Sequence, residues 1–380
     1  MKPSASKTYT DIPSMLGHLN PSEPVYCVHP NIYRRVAEFF KSRFPGRVLY
    51  AVKANDDPNV LLSLMAGGIE HFDCASLTEI KLVRSLSDDV KCYFMVPLWL
   101  NDTASVAQKE FGVRHFVVDH LNSLEVLKTQ IEPHNAVIFA RMAVHHQSAA
   151  QDLSSKFGCP VEHMPELVNA IAQTGAEPAL CFNVGSGVKS PDAYLQGLDM
   201  AHELLDKLSE DIRLIDIGGG FPFQYPEFEV PPLGDYLHQV ANRISSLSLG
   251  NKRELMVEPG RSMAAEGVSA VSQVLLRKEN RLYLNDGLYG IFWELRFDEH
   301  DLYPATVYRN GEKLQSEPRE FWLYGPTCDS TDRLPKPFAL PADIKEGDHI
   351  VVSHIGAYSM AGRTKFNGHF SDHVVLIEDQ

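Results

Sequence analysis

No apolar run in the chain approaches the roughly 20 residues that a membrane-crossing helix needs, so no such helix is expected. The N-terminal segment MKPSASKTYTDIPSMLGHLN also lacks the apolar core of a secretory signal. Cysteine pairing is missing too: Cys27, Cys74, Cys92, Cys159, Cys181 and Cys328 form no CxxC motif and have no histidine at zinc spacing. Scattered thiols in 380 residues read as reduced and cytoplasmic, which excludes a disulfide scaffold and a structural zinc site. Positive charge is scarce. With 35 Lys and Arg against 49 Asp and Glu, the net charge of -14 lacks the basic footprint that a nucleic-acid partner requires. Low-complexity and repeated segments are absent. What remains, 44% hydrophobic and 22% charged residues, suits one large or two ordinary globular domains.

Between Val48 and Gly260 one pattern recurs: a short apolar run, a polar or glycine-containing break, then an amphipathic stretch. The runs are RVLYAVKAN, EHFDCAS, VKCYFMV, RHFVVDH, AVIFARM, PALCFNV, RLIDIGG and ELMVEPG. Helical spacing marks Ser76–Ser85, Leu121–Gln130 and Pro191–Leu208 between them. Eight strand–helix units predict an α/β fold, a closed (β/α)8 barrel over residues 29–262. An open Rossmann sheet is the alternative, but no GxGxxG opens a helix after the first strand. After Met263 the texture turns to strands and turns: Val268–Leu276, Arg281–Phe297, Ala305–Tyr308, Arg319–Tyr324, His349–His354 and Val374–Ile377. Residues 1–28 and 263–380 are expected to form a separate all-β domain, with Pro24–Val28 as one of its strands.

Barrel chemistry collects at the C-terminal strand ends. Lys53, Asp73, Arg141, Asn183, Gly218–Gly220, and Glu258 with Arg261 fall there. A lysine at a strand end is commonly a solvated side chain. Lys53, however, follows the apolar Leu49-Tyr50-Ala51-Val52, and a desolvated lysine has a lowered pKa and attacks carbonyls. Gly218–Gly220 reads as a plain turn or as a phosphate loop after strand seven; Gly185-Ser186-Gly187 offers a second loop, and Arg261 a charged fork. Glu258 ends an apolar run and needs a partner, either Arg261 or a protonated ring nitrogen. An aldehyde, a phosphate and a ring nitrogen are together what pyridoxal 5'-phosphate presents.

The segments YAVKAN (Lys53), FDCASLTEI (Asp73, Glu79), NVGSGV (Ser186), DIGGGFP, EPGR, GPTCDSTD (Cys328, Asp329, Asp332) and GAYSMAGRTKFNG (Tyr358) stand in this order over almost the whole chain. Together they resemble the fold-type III pyridoxal-phosphate decarboxylases, the ornithine, lysine, arginine and diaminopimelate group. The CDS form is similar to ornithine decarboxylase rather than to the CES of diaminopimelate enzymes. The resemblance implies a homodimer with shared active sites and a small amino-acid substrate. It implies that Lys53 carries the cofactor and Glu258 keeps its ring nitrogen protonated. Gly218, Gly219, Gly220, Ser186, Gly260, Arg261 and Tyr358 would hold the phosphate, with Asp73, Arg141 and Asn183 around the ring. Cys328 of the other subunit would return a proton to Cα, and Asp298 and Asp329 would face the substrate's distal end.

Two departures stand out. Asn183 occupies the place where the family usually has a histidine stacked on the cofactor, which reduces aromatic contact. Arg296, expected on one strand face with Glu294 and Asp298, and Arg363 with Lys365, add cations beside the proposed pocket. They either pair locally or recognise carboxylates. The second reading predicts a diamino acid extended by a polycarboxylate, such as N-citrylornithine in siderophore assembly. Free L-ornithine or L-lysine, as in polyamine synthesis, is the rival substrate. Two other functions compete: an amino-acid racemase, disfavoured by Cys328, and a non-catalytic decarboxylase-like regulator, disfavoured by intact Lys53, Gly218–Gly220, Glu258 and Cys328. A buried structural thiol is the plainer reading of Cys328, countered by its neighbours Asp329 and Asp332.

Overall fold

The computed structural model describes residues 6–226, 228–297 and 303–378. Eight parallel strands close into a barrel: Arg47–Ala51, His71–Cys74, Lys91–Phe94, His115–Val118, Val137–Ala143, Glu177–Asn183, Leu214–Asp216 and Glu254–Val257. They are the eight apolar runs of the sequence in order, and closure excludes the open Rossmann sheet. Leu49, Tyr93, Val117, Phe139, Ala179, Cys181 and Met256 pack as a separate apolar cluster. Their alternation along neighbouring strands is the filled interior expected of a small barrel.

The outer helices begin where side chains satisfy their free N–H groups. The Ser76 hydroxyl accepts from Glu79 N–H to start Leu77–Leu86, and Asp57 accepts from Asn59 N–H ahead of Pro58–Ala66. Helix Leu233–Ser246 buries Tyr236, Leu237, Val240 and Ile244, a stripe of helical period that faces the barrel.

A second, ten-stranded sheet takes Val25–Val28 from before the barrel and the remaining long strands from after it. Val25–Val28 lies between Val374–Ile377 and Val268–Lys278, so the expected N-terminal strand is a central one. One expectation fails. Arg281–Phe297 is not a continuous strand: it stops at Leu284, and Trp293–Phe297 is a 3-10 turn. Asn-Asp-Gly at 285–287 breaks it, because the Asp286 carboxylate accepts from Gly287 and Ile291 N–H and folds the chain back. The two parts of the chain meet at the barrel mouth. Tyr358 N–H donates to Ala54 O, and the Asn55 amide donates to Gly356 O.

Candidate active site

Strand one ends at Ala51 and tightens into a single 3-10 turn, Val52–Ala54, which aims Lys53 across the mouth. Strand pairing sets Ala51 opposite Asp73, so the lysine reaches the carboxylate directly: Lys53 Nζ donates to Asp73 Oδ2 at 2.7 Å. The expected lowering of the lysine pKa does not occur. Burial does act to lower it, but the Asp73 and Glu258 carboxylates outweigh burial and hold the ammonium well above the ordinary lysine range.

Three carboxyl groups crowd the floor of the site. Asp73 is 2% exposed, and its Oδ1 has no hydrogen-bond partner among the described residues. Asp216 closes strand seven; burial pushes it up to about 6, against the pull of the Gly218 N–H on its Oδ1 and of Arg141. Glu258 is raised further by burial, then by the charges of Asp216 and Asp73. Asp216 and Glu258 also act on one another, Glu258 pulling Asp216 down while Asp216 pushes Glu258 up. Such a cluster calls for a cation or an N–H donor between its members.

The opposite wall is built to receive an anion. Gly218 and Gly220 take φ of +72° and +98°, conformations that side-chain residues rarely adopt. A Cβ on Gly220 would stand 2.4 Å from the Gly185 carbonyl oxygen, so the two glycine loops touch through bare backbone. Lys53, Asn183, Ser186, Gly219, Gly220, Glu258, Gly260, Arg261 and Tyr358 line one small cavity there. Asn183 Oδ1 accepts from Gly185 N–H at 2.9 Å, which turns its amide nitrogen toward the Gly218–Gly219 turn. Arg261 does not pair with Glu258. It forms an ion pair with Glu294 at 2.6 Å, donates to the Tyr225 hydroxyl, and lies 5.0 Å from the Tyr358 ring.

The residues therefore fit pyridoxal phosphate. An amine would meet its aldehyde, a buried carboxyl its ring nitrogen, and bare glycine backbone with Arg261 its phosphate. Beyond them a cavity of about 550 Å³ opens between Tyr225, Phe228, Trp293, Phe297 and Tyr303. None of these five walls was legible in the sequence, since aromatic residues in loops carry no period. Glu294, buried at 7% exposure, was expected beside Arg296 but not beneath Arg261.

Other expected residues lie elsewhere. Arg141 is absent from the cavity lining and approaches the Phe157 ring, at 5.6 Å. Arg296 lies against the Trp293 ring and donates to Trp293 O, because the 3-10 turn replaces the strand that would have aimed it inward. Arg363 donates to Ser371 O between the Tyr26 and Phe370 rings. Among the described residues, neither arginine lines the cavity, which overturns the pocket placement expected for both. Asp298 lies outside the described residues. Cys328 is exposed and, with Asp329, stands apart from the lining around Lys53 of its own chain.

Comparison with known proteins gives concordant findings. The family model described as pyridoxal-dependent decarboxylase, pyridoxal binding domain, matches residues 30–265. A lysine/ornithine decarboxylase of Selenomonas ruminantium is 32% identical over 352 residues, 90% of this chain and 86% of that protein. Among solved structures, the arginine decarboxylase of Paramecium bursaria Chlorella virus superposes with a TM-score of 0.85 at 26% identity, covering 96% of this chain and 98% of that one. The lysine/ornithine decarboxylase of Vibrio vulnificus, solved with putrescine, gives 0.81 at 27% identity, covering 93% and 94%.

Proposed function

This chain belongs to the pyridoxal-dependent decarboxylases and is a cofactor-dependent amino-acid decarboxylase, and from that premise we propose that its substrate is a free L-diamino acid of the ornithine and lysine type. The observation that carries the reading is the meeting of Lys53, the Gly219–Gly220 turn, Arg261 and Glu258 around one cavity. The cofactor supplies an electron sink for the pair left when carbon dioxide departs. Lys53 would give the amine that holds the cofactor at its aldehyde. Glu258, kept in a dry carboxyl cluster, would pair with the ring nitrogen and keep it protonated. Ser186, Gly218–Gly220, Arg261 and Tyr358 fix the phosphate. Cys328 of the partner subunit returns the proton at Cα, and Asp329 of the same loop faces the distal amine. The names of the two lysine/ornithine decarboxylases support this substrate class.

A substrate N-acylated with a polycarboxylate, as in an N-citrylornithine-like siderophore precursor, is the second reading. It keeps one support, the room of about 550 Å³ beyond the cofactor cradle. It loses another, since the arginines proposed to bind the acyl carboxylates turn away from that room. Carbon dioxide release from L-ornithine, L-lysine and Nδ-citryl-L-ornithine decides between them. Free diamino acid should lead by about tenfold in kcat/KM, one extra ionic contact's worth. A preference for the citryl compound reverses the assignment. Lys53→Ala should also abolish the visible absorption that reconstitution with pyridoxal phosphate produces. If the wild-type chain shows no such band, the regulator reading replaces the enzyme.

A further inference from the structure

The loop that bears Cys328 is fastened at its base and at its tip. At the base, Asp332 is 2% exposed and accepts from Leu288 N–H at 2.8 Å and from the Thr327 hydroxyl at 2.7 Å. Midway, the Tyr289 hydroxyl donates to the Asp329 carboxylate. Tyr289 in turn packs on Phe366 at 4.5 Å, and its carbonyl accepts from Thr364 N–H. At the tip, one oxygen does two jobs. Asn367 Oδ1 accepts from Cys328 N–H at 3.2 Å and from the Cys328 thiol at 3.4 Å.

The donor on the backbone fixes which end of the amide faces the cysteine, because an N–H cannot be satisfied by the NH2 group. The thiol therefore meets an acceptor and is held as a proton donor in one rotamer. Asn367 can do this because it sits in the left-handed region at φ +54°, which asparagine tolerates better than most residues. We propose that Asn367 is a positioning residue for the reaction: it fixes the rotamer of the Cys328 thiol, and so decides where the proton lands after carbon dioxide leaves.

This inference rests on the reading of Cys328 as proton donor. Cleavage of the Cα–carboxyl bond releases carbon dioxide and leaves an electron pair that a proton at Cα must take up. Transfer from the thiol breaks S–H, forms Cα–H and leaves a thiolate, which solvent reprotonates. A proton delivered instead to the former aldehyde carbon of the cofactor leads, with water, to an aldehyde product and the amine form of the cofactor. The ratio of aldehyde to diamine per carbon dioxide reads the thiol's aim, and a purely structural role would leave it unmoved.

Asn367→Gly keeps the backbone conformation and removes the acceptor; Asn367→Asp keeps both. We expect Asn367→Gly to raise the aldehyde fraction by about tenfold, as loss of aim costs in other proton transfers. Asn367→Asp should stay within about threefold of wild type, a rescue by the retained acceptor. Cys328→Ser should raise the fraction most, and adding Asn367→Gly to it should change nothing more. An unmoved ratio in Asn367→Gly beside a raised one in Cys328→Ser overturns the role of Asn367 and leaves that of Cys328. An unmoved ratio in Cys328→Ser removes the reading of the thiol, and the inference with it.

Discussion

Lys53 shows how far one residue's chemistry depends on neighbours that sequence order does not reveal. Its place after an apolar strand predicted a neutral, nucleophilic amine. The fold instead sets Asp73 against its ammonium, through the pairing of strands one and two. Before the cofactor is bound, the amine must therefore give up a proton that Asp73 and Glu258 help to hold. Removing one of those charges lowers the lysine pKa, so the neutral fraction rises at any given pH. Asp73→Asn should thus move the pH of half-maximal cofactor attachment downward, followed as the rate of growth of the visible band across a pH series. A profile that stays put, or moves upward, removes Asp73 from this role. The sequence disclosed the ingredients of the site well, because each sits in a motif at a strand end. It disclosed pairings poorly: Arg261 to Glu294 and Cys328 to Asn367 join residues 33 and 39 positions apart across folded loops.

Elements were legible where a period persisted. Eight apolar runs became eight barrel strands, and Leu121–Lys128 and Asp192–Leu205 lie within the expected helical stretches. The failure at Arg281–Phe297 came from a local turn stronger than the surrounding β preference, and it carried Arg296 out of the pocket. The barrel's other end holds a feature no motif announced. Arg47 of strand one forms an ion pair with Glu254 of strand eight and donates to the Tyr93 hydroxyl, which in turn shares a hydrogen bond with His71 Nδ1. The Tyr93 ring stacks on His115 at 4.1 Å. Burial first, and nearby Arg47 and Lys91 after it, lower His71 to about 4; burial, then Arg47, lower His115 to about 3. Both rings stay neutral in the fold, whereas the unfolded chain binds protons near pH 6.5. The stability they contribute is present above that value and is lost as pH falls toward the folded values. The melting temperature should decline between pH 7 and pH 4, and His71→Asn with His115→Asn should flatten that decline. An equally steep fall in the double variant assigns the acid sensitivity to other groups.

On the scale of the molecule, a barrel mouth left open by one chain gains meaning from what a second chain adds. Phe297 lines the cavity yet remains 60% exposed, and Leu98 and Leu100, in the loop after strand three, are 61% and 80% exposed. Apolar surface of this kind beside a charged site favours a covering partner. The Cys328 loop points the same way: fastened, exposed, and outside the lining of the cavity of its own chain. A two-fold dimer would supply both needs at once, because each surface that receives a loop would also present one. Complementation tests this arrangement. Lys53→Ala and Cys328→Ser chains, each of low activity alone, should form mixed dimers in which one site carries both lesions and the other none. With random pairing, half the dimers are mixed and half their sites are native, so activity should recover to about a quarter of wild type. Recovery cannot arise if each chain builds its site unaided, for then every site holds one lesion however the chains pair. Absence of recovery, with mixed dimers shown to form, would put Lys53 and Cys328 in the site of one chain and overturn the sharing of sites between subunits.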